Sequence, residues 1–270
     1  MILFPPAKIN LGLNVLYKRE DGFHELDTCM LPIAVSDVLE MLPSENFEFK
    51  QTGLTVDGDQ EMNLVVRAFR LMQQRFHIPN VAIHLRKNIP MGAGLGGGSS
   101  DATYTILGLN EMFNLKLTKI ELREIASQLG SDCAFFVENK PQLAKGRGEI
   151  LSTIQLHLLG YYMKIVNPGI HIGTAEAYND IKFSTLDTSV EQVLNLPIDQ
   201  WQELLQNSFE KGVFSNHPEI GQLKSKLLEE GAIYASMSGS GSTVYGIYSS
   251  QPKLSFSKDY ERVFSLDFSD

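Results

Sequence analysis

The sequence predicts a mixed fold, α/β or α+β. Three observations carry that expectation. Val81, Ile83 and Leu85 alternate with Ala82, His84 and Arg86, which is the period of a strand. Leu64, Ala68, Leu71 and Met72 fall on one face of a helix over 62–76. Five glycines crowd into the seven positions 92–98, between that strand and a helical pattern beginning near Ser99.

The remaining elements follow in chain order. Residues 9–16 read as a strand, with a turn at Asp21-Gly22. Pro90 ends the strand through Val81. Thr118 and Glu121 have capping-box spacing for a helix reaching Leu129, with Gly130 as its stop. A short apolar segment covers 134–137. Residues 161–166 read as a strand and Pro168-Gly169 as a turn. Pro218 suits a first helical position, Ile220, Leu223, Leu227 and Leu228 keep helical spacing, and Gly231 closes that helix. Two strands, 234–237 and 243–248, flank the turn SGSGS. A weakly marked boundary near 155 divides the chain into 1–155 and 156–270.

Composition excludes several classes. The chain has 270 residues, enough for one large domain or two moderate ones. Net charge is −9 without a basic run, which disfavours nucleic acid. No apolar window is long enough for a membrane span. The start, MILFPPAKIN, reads as a first strand rather than a secretory signal. Two cysteines far apart and six scattered histidines give no metal spacing, so no protein-bound structural metal is expected and the setting reads as cytoplasmic.

The glycine stretch, PMGAGLGGGSSDA from Pro90, has the chemistry of a phosphate loop. Glycine lets backbone amides approach an anion with no Cβ in the way. A helix starting at Ser99 adds unpaired N–H groups and the positive end of its dipole. Ser99 and Ser100 bring hydroxyls for phosphate or Mg²⁺. A Walker A loop fails, because Ser99 stands where its lysine belongs. A dinucleotide fold matches Gly92, Gly94 and Gly97 but lacks an acidic residue ending a second strand. A plain flexible turn has no need of five glycines.

At this loop the sequence resembles the GHMP kinases. Three blocks carry the match in order: PAKINLGLNV from Pro6, PMGAGLGGGSSDA from Pro90 and SMSGSGSTVYGIY from Ser236. DGFHELDT from Asp21 and LGSDCAFFV from Leu129 point to the members whose acceptor carries a cytidine diphosphate group. Ala134 and Cys133 depart from the proline and valine usual after the aspartate. The resemblance implies an α+β, two-domain fold. Its N-terminal nucleotide-binding domain is like ribosomal protein S5 domain 2, and its C-terminal domain is ferredoxin-like. It implies a cytoplasmic kinase, monomeric or homodimeric, that uses ATP with Mg²⁺ and acts on a small molecule, with no nucleic acid, no membrane and no metal held by the protein.

Site residues carry over by position. Asp132 is the expected base and Lys8 its cationic partner, holding it ionised and stabilising the transferred group. Asn10, two residues on along the strand and so on the same side, is assigned to the acceptor. Pro90, Met91, Gly92, Ala93, Gly94, Leu95, Gly96, Gly97, Gly98, Ser99 and Ser100 form the ATP loop, with Asn63 as a further nucleotide contact. Asn63 also suits a helix cap. Ser238, Gly239 and Ser240 approach substrate. His24 reads the cytosine edge and Tyr178 stacks on it, with Arg147 and Thr174 in the same region.

Overall fold

The computed structural model describes residues 1–54, 59–179, 181, 183–184, 188–255 and 260–266. In chain order the first strands are β1 (Ile2–Leu3), β2 (Pro6–Lys18), β3 (His24–Ser36), β4 (Val38–Pro43) and β5 (Glu48–Gly53). Then come α1 (Leu64–Phe76), β6 (Val81–Lys87), α2 (Gly97–Met112), α3 (Lys119–Ser127), β7 (Gln142–Gly146) and β8 (Ile150–Thr153). The rest is β9 (Tyr162–Asn167), α4 (Thr174–Asn179), α5 (Val190–Leu194), α6 (Trp201–Leu204), α7 (Glu210–Asn216), α8 (Pro218–Glu229), β10 (Tyr234–Met237), β11 (Val244–Tyr248) and β12 (Tyr260–Ser265).

The chain forms two compact units that interleave in sequence. The first takes Met1–Lys8, Ala34–Met91 and Gly96–Lys140. The second takes Ile9–Ile33, Gly92–Leu95 and Pro141–Asp270.

In the first unit the sheet order is β1-β4-β6-β5. The pair β5–β6 is parallel and the others are antiparallel. The register Leu39↔Leu85 and Met41↔Ile83 sets four apolar side chains on one face. They share a core with Val65, Phe69 and Met72 of α1 and Ala102, Ile106 and Leu109 of α2. Gly108 lets α2 lie close, since a Cβ there would come 2.1 Å from Met41 Cε. Helix α1 starts two residues later than its periodicity suggests, at Leu64 rather than Met62. Asn63 is its N-cap, and its side chain accepts from Val65 N at 2.9 Å. Helix α2 begins at Gly97, two residues before the expected Ser99, because Gly96 adopts a left-handed φ of 68° and turns the chain into the helix. The Thr118–Glu121 capping box is present. Helix α3 ends at Ser127, short of Leu129, so Gly130 is not its stop.

The second unit holds two four-stranded sheets, β2-β3-β7-β8 and β10-β11-β9-β12. The second sheet is antiparallel throughout. Val166, Ala235, Met237 and Val244 from it pack with Phe209 and Val213 beside α7 and with Ile220 and Leu227 of α8. On β9 of this sheet Lys164 is fully buried and meets Glu230 at 2.8 Å, Glu261 at 2.9 Å and Ser255 Oγ at 2.7 Å. Cys29 on β3 and Cys133 after α3 are both buried free thiols, one in each unit. No described helix is long and apolar enough to cross a membrane.

Candidate active site

The first unit pairs a buried lysine with a reachable carboxylate. Lys8 Nζ lies 3.3 Å from Asp132 Oδ2. The lysine side chain is 4% exposed and the aspartate 33%, so the carboxylate is the more open of the two. Gly96 faces the lysine stem: a Cβ there would come 3.1 Å from Lys8 Cγ and 3.1 Å from Phe136 Cζ. Thr103 Oγ1 lies 2.9 Å from the Ser99 carbonyl and 2.8 Å from the Cys133 carbonyl, which share its single proton. That buried hydroxyl ties the first turn of α2 to the residue beside Asp132.

The glycine loop runs from Pro90 through Met91 to Gly96 and enters α2 at Gly97. Gly92, Gly94 and Gly96 all have positive φ, at 60°, 74° and 68°, which L side chains adopt at a cost. No side chain caps α2, so its first N–H groups are left for a ligand. Ser100 Oγ is buried with no hydrogen-bond partner, inside the same turn. These features fit a polyphosphate. Residues 92–95 belong to the second unit, where Ala93 O accepts from Thr243 N at 3.3 Å and Gly94 O from Ser238 Oγ at 2.8 Å.

A cavity of about 360 Å³ opens in the first unit. Phe49, Leu64, Leu85 and Met91 give it apolar walls, and Gln51, Asn63, Gly98 and Asp101 complete the lining used here. Asn63 is held in place twice, since it caps α1 and donates from Nδ2 to Gln51 Oε1 at 3.2 Å. Lys87, also in the lining, is buried between Asp37 and Asp101. Asp37 accepts from Lys87 and from the backbone N–H groups of Asn88 and Ile89. Asp101 Oδ2 accepts from the lysine at 2.7 Å. Burial, partly offset by Lys87 and reinforced by Asp37, pushes the Asp101 carboxyl up to about 8. Burial opposes the Lys87 ammonium, but Asp101 and Asp37 outweigh it and hold its pKa above the ordinary value. One ammonium faces two carboxylates, and burial favours the protonated form of Asp101. Among the described residues no group of three or more His, Cys, Asp or Glu side chains could hold a metal.

In the second unit Asn10 is fixed at three points. Its N–H donates to Ser238 Oγ at 3.3 Å, its carbonyl accepts from Tyr245 Oη at 2.7 Å, and its Nδ2 donates to Thr28 Oγ1 at 3.0 Å. Gly239, with φ of 56°, lies beside it: a Cβ there would be 3.2 Å from Gly94 Cα and 3.6 Å from Asn10 Oδ1. The turn through Ser240 is held by Asn207, whose Nδ2 donates to the carbonyls of Met237 and Gly239.

His24 and Tyr178 also come together. Their rings stack at 4.5 Å with 19° between planes, and Phe209 meets the tyrosine edge-on at 4.9 Å. The histidine thus lies face-on against the tyrosine ring. Burial and then Lys18 lower its pKa, so the imidazole is neutral at pH 7. Arg147 is exposed on the turn after β7 and sets its guanidinium 4.6 Å above the Phe23 ring. Phe23 is half exposed next to His24, and sequence reasoning passed over it. An aromatic beside a predicted base reader, within DGFHEL, is the signal that could have found it. Thr174 opens α4, and its side chain lies outside the described residues.

A buried lysine paired with a carboxylate beside an uncapped, glycine-led helix defines a class of phosphoryl-transfer protein. The family model for the GHMP kinases N terminal domain matches residues 63–140 and that for the GHMP kinases C terminal matches 190–258. The chain belongs to the GHMP kinase family, has its two-domain α+β fold, and the family uses ATP as co-substrate. Within it, the chain is 46% identical over 268 residues to the 4-diphosphocytidyl-2-C-methyl-D-erythritol kinase of Bacteroides fragilis, covering 98% of this chain and 97% of that protein. The protein of the same name from Azobacteroides pseudotrichonymphae is 46% identical over 270 residues, covering 100% and 98%. A crystal structure of 4-(cytidine 5'-diphospho)-2C-methyl-D-erythritol kinase superposes with a TM-score of 0.79 at 33% identity, covering 91% of this chain and 89% of that one.

Proposed function

We propose that the chain transfers the γ-phosphate of ATP to the 2-hydroxyl of 4-diphosphocytidyl-2-C-methyl-D-erythritol, a step of the non-mevalonate isoprenoid precursor pathway. The observation that carries the chemistry is the Lys8–Asp132 pair, 3.3 Å apart, with Gly96 against the lysine stem. The near full-length likeness to kinases of that name carries the acceptor. Asp132 takes the hydroxyl proton, and Lys8 keeps it ionised and neutralises charge on the phosphoryl group. The loop from Pro90 to Ser100 cradles the phosphates. The apolar cavity beside Asn63 and Gly98 takes the base of ATP. Mg²⁺ bound with the nucleotide would neutralise charge on its phosphates, and Ser99 and Ser100 bring the hydroxyls that would meet it. Tyr178, His24 and Phe23 supply the aromatic surface for cytosine, with Arg147 and Thr174 beside them, and Asn10 with 238–240 holds the polyol. Residues 1–155 act as the nucleotide-binding domain and 156–270 as the C-terminal domain. The enzyme works in the cytoplasm as a monomer or homodimer.

An ADP-release assay over a small acceptor panel tests the reading. Turnover is expected with the cytidylyl compound and not with mevalonate or homoserine. Equal turnover with mevalonate would remove the cytidine assignment and leave the family chemistry standing.

A further inference from the structure

Strand β5 has two half-buried residues, Phe49 and Gln51, and both line the cavity beside α1. They alternate with the exposed Glu48, Lys50 and Thr52, so the pleat of the strand points them the same way. The orientation of the Gln51 amide is settled one partner at a time. The Val65 N–H can only donate, so the end of the Asn63 amide that meets it at 2.9 Å is Oδ1. The other end of Asn63 is then its NH₂, and it lies 3.2 Å from the Gln51 amide. An NH₂ needs an acceptor, so Gln51 turns Oε1 toward Asn63. The remaining end of Gln51 is its own NH₂. Among the described residues nothing accepts a hydrogen bond from it. The cap of α1 thus dictates, through two amides in series, which atom Gln51 has left to offer. Around it Phe49, Leu64, Leu85 and Met91 are apolar, and Lys87 is engaged by Asp37 and Asp101. The Gln51 NH₂ therefore gives a largely apolar wall a hydrogen-bond donor.

We propose that Gln51 is a base-reading residue of the kinase: its NH₂ donates a hydrogen bond to an acceptor nitrogen on the base of ATP. This rests on the reading that the cavity takes that base. Apolar walls hold a purine by its faces and say nothing about its edge, which a few placed polar groups have to read. Adenine carries unprotonated ring nitrogens at N1, N3 and N7. Any of them enclosed here without a donor would lose the hydrogen bond it makes to water.

The test sets Gln51→Met and Gln51→Glu beside the wild-type chain, with ATP and its 1-, 3- and 7-deaza analogues. KM for nucleotide and for acceptor, kcat and melting temperature are measured on each. Gln51→Met keeps the length and loses the donor. It should raise the ATP KM about three- to tenfold, the scale of one net hydrogen bond, with the acceptor KM and melting temperature near wild type. Gln51→Glu keeps an oxygen toward Asn63 and sets another where the donor stood, so its ATP KM should rise at least as far. It carries the same test if Gln51→Met does not fold. One deaza analogue should lose the same factor against the wild type and nothing more against the variant, because nitrogen and amide act as a pair. An unchanged ATP KM in the variant overturns the proposal. So does a loss that adds in full for all the analogues, or a variant that melts earlier and shifts both KM values alike. Irradiation with 8-azido-ATP separates these outcomes from failure of the cavity reading. Label is expected in peptides spanning 49–64 or 85–91. Label there with a normal ATP KM in the variant removes Gln51 alone, and label found only elsewhere sinks the base cavity and the proposal with it.

Discussion

At the scale of single residues, the charged groups of the first unit divide into a reactive pair and a buried cluster. Asp132→Asn preserves shape and removes the base, so kcat should fall about a hundredfold or more, with the acceptor KM changed much less. Lys8→Met should be as severe, and the double variant little worse than either, because the two act as one unit. Wild-type turnover in Asp132→Asn would demote the aspartate to positioning. Asp101 makes a different prediction. Its carboxyl sits near 8 in the folded chain against an ordinary value of 3.8. Between those values the folded state holds a proton that the unfolded state has released. The stability it contributes is complete below about pH 4 and is lost as pH rises through about 8. Asp101→Asn carries no such proton. Its melting temperature should therefore fall less than that of the wild type between pH 6 and pH 9. Parallel profiles would show that Asp101 is ionised in the fold.

At the scale of elements, most helices and strands with strong periodicity were legible, and so was the loop chemistry. The strand through Val81, the Thr118–Glu121 box and the Pro218 helix start all stand where their residues put them. Strands β3, β4 and β5 were not. His24–Ser36 is buried over most of its length and shows no alternation, and Glu48–Gly53 is a charged and polar edge. The short helices α5 and α6 exist by packing rather than by any pattern long enough to read. Glycines within the loop also differ in ways that spacing does not show. A Cβ on Gly97 would lie 3.0 Å from Ile89 Cγ2 and 3.2 Å from Lys87 Nζ, while one on Gly98 meets only Leu64 Cδ1 at 3.6 Å. Gly97→Val should lower the melting temperature together with ATP use. Gly98→Ala should keep the wild-type melting temperature and raise the ATP KM. A native-like melting temperature for Gly97→Val would mean that Ile89 and Lys87 give way. Asn63 joins two roles in one residue. Asn63→Ala should cost about 1 kcal/mol of stability through the lost cap, and Asn63→Asp should recover it. An ATP KM that stays raised in Asn63→Asp marks the nucleotide contact.

At the scale of the whole molecule, residues were legible as a site only in groups. Lys8 and Asp132 stand 124 positions apart, and nothing in their local spacing joins them. The blocks shared with the family did that, and the 3.3 Å ion pair agrees. Periodicity could not reveal that Asn10 meets Thr28, or that His24 lies on Tyr178, because both depend on chain segments brought together by folding. The stacked pair has a cost for ligand binding. Rings 4.5 Å apart leave no space for a base between them, so cytosine has to part them or use another face. Tyr178→Ala should weaken the acceptor by about ten- to a hundredfold, as loss of one stacking platform does elsewhere, and leave ATP alone. CMP should compete with the acceptor and not with ATP. A tyrosine that only fills the core predicts a lower melting temperature and a normal acceptor KM.

The two cysteines give the molecule a built-in pair of reporters. Burial pushes the Cys133 thiol up to about 11 and raises Cys29 further, so neither supplies thiolate near neutral pH and neither is open to reagent. Native protein should be silent to a water-soluble alkylating agent. Label then enters only as structure opens, and it enters at different addresses: Cys133 in the first compact unit and Cys29 in the second. Pulsed alkylation along a denaturant series, read by peptide mass, would time the opening of each unit separately without a single engineered residue. Coincident labelling curves would mean that the units unfold as one, and separated curves would rank them.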